Sequence, residues 1–124
     1  QEDWALLTPD SPFTIDTWIP ISTTPHHIGQ PLIAAGFAPQ PDQSADEAVE
    51  RYLLADAACS VIDGSTHLPA SDCVARKGAS GGAIIALTDS GSARLQGIIS
   101  AGDGEAVSYF YPAPLLIRRL GKLR

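Results

Sequence analysis

The sequence predicts an all-β fold, a small antiparallel barrel of six strands followed by a short C-terminal helix. Three observations carry this. Six apolar runs show the alternation or β-branched content of strands. Clusters of Gly, Pro, Ser and Asp separate them. No segment before residue 112 sustains a helical pattern.

The elements follow in order. Trp4–Leu7 reads as a short strand. Residues 8–30 carry Pro9, Pro12, Pro20 and Pro25 among Thr and Ser, the composition of an extended linker. The barrel strands are then Pro31–Phe37, Val49–Asp63 (one long strand or a bent pair) and His67–Ala75, with a polar loop over 38–48 and a turn at Gly64-Ser65. Ala83–Thr88 and Ala93–Ala101 flank Asp89-Ser90-Gly91-Ser92, a hairpin signal. Ala106–Tyr111 is the last strand. Pro112 and Pro114 suit the start of a helix, with Leu116, Leu120 and Leu123 on one face. The chain divides into residues 1–30 and a barrel with its helix over 31–124.

A chain of 124 residues is one ordinary domain. Its net charge of −6 argues against a general nucleic-acid binder, because phosphate needs cationic neutralisation. No apolar run approaches the ~20 residues of a membrane-spanning helix. Arg118, Arg119, Lys122 and Arg124 crowd the C-terminus, where cations suit the helix dipole, and read as a solvated end. His26 and His27 are adjacent and point different ways on extended chain, with no third ligand spaced nearby. They read as a solvated linker, and neither metal nor cofactor is expected. The two cysteines, Cys59 and Cys73, are an even count that fits a disulfide in an oxidising compartment.

The segment with chemistry in it is Gly78-Ala79-Ser80-Gly81-Gly82, which precedes the apolar run Ala83–Leu87. A serine hydroxyl becomes a nucleophile only when a base takes its proton and N–H groups receive the oxyanion. Glycines beside the serine let the backbone turn sharply enough for amides to converge. Two further segments bracket it, Asp3-Trp4-Ala5-Leu6-Leu7 and Leu95-Gln96-Gly97-Ile98-Ile99-Ser100-Ala101-Gly102.

Together, and in this order, these three segments resemble the chymotrypsin/trypsin-like serine peptidases, in the manner of secreted bacterial members. The likeness runs from Asp3 to the C-terminal segment. It implies a Greek-key barrel, the C-terminal one of a double-barrel peptidase, with residues 1–30 as a remnant of the other barrel plus the crossing between the two. It implies Ser80 as nucleophile, Asp3 as the carboxylate that orients a histidine, and the N–H groups of Gly78 and Ser80 as the oxyanion hole. Ser100, Ala101 and Gly102 would hold a peptide substrate as an added antiparallel strand, and Ser100 would also hydrogen-bond Asp3. By the same carry-over Val74 is the floor of the specificity pocket, Ala75 lies beside it, and Lys77 stands near the rim with Arg76. With no carboxylate at that floor, trypsin-like cleavage after Arg or Lys is not supported. The layout Cys59…Cys73 ahead of Ser80 matches family members with a disulfide there, and implies a secreted or periplasmic protein.

The resemblance also exposes a gap. In this family the triad histidine precedes the aspartate, whereas His26, His27 and His67 all follow Asp3. None fits the role, and a serine without its base is close to inert. The expectation is a C-terminal piece whose histidine comes from a missing N-terminal segment or chain. The absence of methionine points the same way. If an imidazole sits between them, the side-chain oxygens of Asp3 and Ser80 lie roughly 7–8 Å apart. Ala79 stands where the family often has an aspartate, so activation by an ion pair to a freed N-terminus is not expected. The partners expected are a peptide or protein substrate and the histidine-bearing barrel. The alternative is an inactive homologue that binds peptides. The Gly-x-Ser-x-Gly spacing also matches the nucleophile elbow of α/β-hydrolases, but that motif needs a helix after the serine and a histidine later in the chain. A β-like run follows here, and no histidine lies beyond Ser80.

Overall fold

A computed structural model describes residues 4–39 and 51–122. Six strands form one closed antiparallel barrel: β1 (Pro31–Ala38), β2 (Tyr52–Asp63), β3 (Ala70–Ser71), β4 (Ala83–Leu87), β5 (Ala93–Gly102) and β6 (Ser108–Pro112). Around the barrel the order is β1-β2-β3-β6-β5-β4, so β4 returns to lie beside β1 and β6 beside β3. Helix α1 (Ala113–Gly121) follows directly, with Pro112 as its N-cap, and buries Ala113 and Leu116. Leu120 is half-buried, and Leu123 lies outside the described residues.

Alternation builds the interior. In β1, Leu32 and Ala34 point inward, and Val61, Ile84, Ile99 and Phe110 meet them from four other strands. Small residues set how closely the walls approach. A Cβ at Gly97 would collide with the ring of the fully buried Phe110, so glycine there makes room for the core's largest side chain.

Two expected strands differ from the sequence reading. Trp4–Leu7 forms no strand: Trp4 leans on Tyr111 with ring centroids 6.3 Å apart, while Ala5, Leu6 and Leu7 are exposed. It pairs with no described strand, and an unpaired strand is not stable alone. His67–Ala75 shrinks to Ala70–Ser71. Pro69 has no N–H to give a ladder. Beyond Ser71, Asp72 N–H still reaches Ser60 O (3.1 Å), but the next amides go to side chains, Cys73 N–H to Ser71 Oγ (3.3 Å) and Val74 N–H to Asp56 Oδ2 (2.8 Å).

The linker is anchored over its second half. Ile21 forms a parallel bridge to Leu95. Gly29 N–H donates to Val61 O, and Val61 N–H to Gln30 O. His26 is not simply solvated, as the sequence suggested: it is half-buried, its Nε2 lies 2.7 Å from Ser65 O, and its ring meets Phe110 edge-on at 5.8 Å. Residues 20–30 thus form a strap across the barrel. No described helix is long and apolar enough to cross a membrane.

Candidate active site

The loop 76–82 joins the disulfide region to β4, and its hydrogen bonds alternate. Ala79 N–H donates to Arg76 O (2.9 Å), Gly81 N–H to Ile99 O (2.8 Å) and Gly82 N–H to Ala79 O (2.9 Å). Among the described residues no acceptor takes the N–H of Gly78 or of Ser80. Those are the two amides that the resemblance implies for an oxyanion. Gly78 and Gly81 have φ of 103° and 88°, a region that side chains resist and glycine enters freely. Ala79 is buried, and its close approach to β1 depends on Gly36, where an added Cβ would stand 3.0 Å from both the Cβ and the carbonyl oxygen of Ala79.

Ser80 stands exposed at the top of the turn and donates from Oγ to Ser100 O at 3.3 Å. A register shift between Ile99 and Ala101 explains this meeting: Ser100 is the extra residue of a bulge in β5, which turns its carbonyl out of the β6 ladder. Past the bulge, Ala101 and Gly102 are exposed and pair with Tyr109 and Ser108 of β6. The β4 ladder stops at Ile98, so no described strand pairs with the opposite edge of Ser100–Gly102. The structure therefore brings together Gly78, Ser80 and the start of the Ser100–Gly102 segment. Asp3 lies outside the described residues, and so does the expected separation of its carboxylate from Ser80.

Cys59 and Cys73 form a disulfide, with Cα atoms 4.8 Å apart. Aspartates that the sequence reading passed over reinforce it. Asp72 Oδ1 accepts Ser60 N–H at 2.7 Å, and Asp56 divides its oxygens between Ala58 N–H (3.0 Å) and Val74 N–H (2.8 Å). Ser108 Oγ donates to Cys73 O at 2.7 Å. Crosslink and carboxylates together lash the approach to the Ser80 loop onto β2 and β6. The only hint in the sequence is that both aspartates sit near cysteines.

Val74 and Ala75 line a cavity of about 390 Å³ with Gly36, Leu54, Asp56 and Ala79. Ser80 and Ser100–Gly102 are not among its walls. Val74 is half exposed and Lys77 is exposed. Asp103 turns its carboxylate on its own loop. Oδ1 accepts the N–H groups of Val107 (3.0 Å), Glu105 (2.9 Å) and Ala106 (2.8 Å), which hold its carboxyl below the ordinary range. This closes the β5–β6 connection directly after Gly102.

The histidines are committed elsewhere. His26 holds Ser65, His67 Nδ1 lies 3.0 Å from Thr66 Oγ1, and His27 faces a cavity beneath the strap. None is a hydrogen-bond partner of Ser80. Among the described residues no cluster of three or more His, Cys, Asp or Glu is placed to hold a metal. Neither family models nor curated proteins give any match to this chain.

Proposed function

We propose that this chain is the C-terminal barrel of a chymotrypsin-like serine endopeptidase, secreted or periplasmic, whose triad histidine is carried by an N-terminal barrel outside this chain. The observation that carries the reading is the loop at Ser80. Its hydroxyl is exposed at a glycine turn, and among the described residues the amides of Gly78 and Ser80 have no acceptor while those of Ala79 and Gly81 are spent. The strand order β4-β1-β2-β3 matches the 4-1-2-3 arrangement of a Greek key and supports the fold half of the reading. The disulfide supports an oxidising compartment.

In the mechanism, a peptide lies along Ser100–Gly102 as an added strand. The histidine, held in the right tautomer by Asp3, takes the Ser80 proton as Oγ attacks the carbonyl carbon. The N–H groups of Gly78 and Ser80 receive the oxyanion. The histidine returns the proton to the leaving amine, and water releases the acyl group from Ser80. Val74, Ala75 and Lys77 shape the side-chain preference. The exposed Leu6, Leu7, Phe13, Trp18 and Ile19 give the N-terminal barrel an apolar surface to cover.

A second reading, an inactive homologue that binds peptides along Ser100–Gly102, is favoured by one observation: all three histidines lie away from Ser80. One experiment separates the two. The protein joined to its histidine-bearing barrel is treated with a fluorophosphonate, alongside Ser80→Ala. The peptidase reading expects labelling of the parent and none of the variant. Labelling that survives Ser80→Ala refutes the nucleophile, and no labelling of either protein favours the binding reading.

A further inference from the structure

A second cavity, of about 890 Å³, lies under the strap, away from Ser80 and the Ser100–Gly102 segment. Its origin is a split in the barrel seam. The β1–β4 ladder ends at Ile33↔Ile85. Two residues further on, the same register sets Leu87 opposite Pro31, which has no N–H to donate, so the strands part. The strap bridges the gap and is held on both sides. Ser22 N–H donates to Leu95 O (2.8 Å) and Leu95 N–H to Pro20 O (2.8 Å). The buried Gln96 donates to Thr24 O (3.0 Å) and accepts from Gln30 Nε2 (3.2 Å). The cavity is therefore built before any ligand arrives, and it falls in the size range of small-molecule sites.

Its walls mix aliphatic residues, Ile21, Leu32, Ile85 and Leu87 among them, with polar ones, and carry one guanidinium, that of Arg94, with the His27 imidazole and the Asp89 carboxylate also in the lining. Arg94 is half-buried and donates from Nη1 to the neighbouring Ala93 O at 2.9 Å. Among the described residues no carboxylate stands within ion-pair distance of it. A partly desolvated guanidinium beside aliphatic walls attracts an anion, and its planar fork fits a carboxylate through two parallel hydrogen bonds. Asp89 also lines the cavity, and its carboxylate disfavours a dianion more than a monoanion. Gln96 is already committed to the strap and stiffens the site.

We infer that this cavity binds an amphipathic monocarboxylate, with its hydrocarbon chain along Ile21, Leu32 and Ile85 and its acid head on Arg94. The site is separate from the proposed peptidase chemistry, and its test does not depend on that chemistry.

Decanoate is titrated into the full chain by calorimetry, with 1-decanol and decanedioate as comparison ligands. Decanoate binds saturably at one site, Arg94→Gln weakens it about tenfold, and Arg94→Lys, which keeps the charge, weakens it less. Decanol affinity is unchanged by Arg94→Gln, because it has no charge to place there. Decanedioate binds more weakly than decanoate. Thr23→Trp, which projects a ring from the strap into the groove, removes binding of both decanoate and decanol. The inference is overturned if decanoate shows no saturable binding, if Arg94→Gln leaves its affinity unchanged, if decanedioate binds as well as decanoate, or if Thr23→Trp has no effect.

Discussion

Gly82→Ala isolates the packing that holds the Ser80 turn against the barrel. A Cβ at this position would run into Ala35 O and would stand 2.9 Å from both Ala79 O and Gly36 Cα. All three are backbone atoms, and Ala35 is pinned by its pairing with Ala83, so no side-chain rotation relieves the collision. Overpacking of this kind costs about 1–3 kcal/mol, and a site walled by backbone belongs at the upper end. Alanine also restricts the unfolded chain, which returns roughly 0.4–1 kcal/mol. The net loss is about 2 kcal/mol, a fall in melting temperature of roughly 6–12 °C for a domain of this size. Gly91→Ala is the control. Gly91 has φ of 84° and nothing within 4 Å of an added Cβ, so it measures left-handed strain alone, about 1 kcal/mol after the same correction. Thermal unfolding followed by circular dichroism compares the two. The packing of the loop is disproved if Gly82→Ala melts with the parent, or if it costs no more than Gly91→Ala.

Further outcomes follow from the same structure. Replacing both Cys59 and Cys73 by serine opens a crosslink with a sequence separation of 14 and lowers stability by about 3 kcal/mol; unfolding in denaturant checks this, and an unchanged midpoint contradicts it. Asp103→Asn leaves only a neutral acceptor for the N–H groups of Val107, Glu105 and Ala106. Because folding lowers the carboxyl's pKa, its contribution is present above the unfolded value near pH 4 and disappears as pH falls through the folded one. Parent and variant should therefore differ in amide-exchange protection of the 103–107 loop at neutral pH, begin to converge near pH 4 and meet once the pH is below the folded value. A gap between them that holds constant into acid would contradict this. Gln96→Leu strands Thr24 O and Gln30 Nε2 and frees the strap. Faster amide exchange at Ser22 and Gly29 is expected, with the barrel core unaffected.

Local chemistry was legible in the sequence; long-range partnership was not. Alternation put the limits of β1, β4 and β5 within a residue of the structure, because each strand has one face in the core and one outside. The glycines marked the Ser80 turn because a positive φ asks for them. The bulge at Ser100 left no mark, since it arises from the mismatch of two ladders and from no residue type. His67–Ala75 reads as a strand, yet at its two ends the amides of His67 and Leu68 find Ser65 Oγ and those of Cys73 and Val74 find Ser71 and Asp56 instead. Gln96, polar in the middle of an apolar strand, looks like an outward residue until Thr24 and Gln30, far away in sequence, turn out to enclose it.

The central claim is that the amides of Gly78 and Ser80 converge on one point in front of the Ser80 hydroxyl. It is tested most directly by a crystal structure of the protein and its histidine-bearing barrel after phosphonylation. The account predicts phosphorus bonded to Ser80 Oγ and a phosphonyl oxygen about 2.7–3.1 Å from both N–H groups. An adduct on another residue, or one on Ser80 whose oxygen points away from both amides, would contradict it.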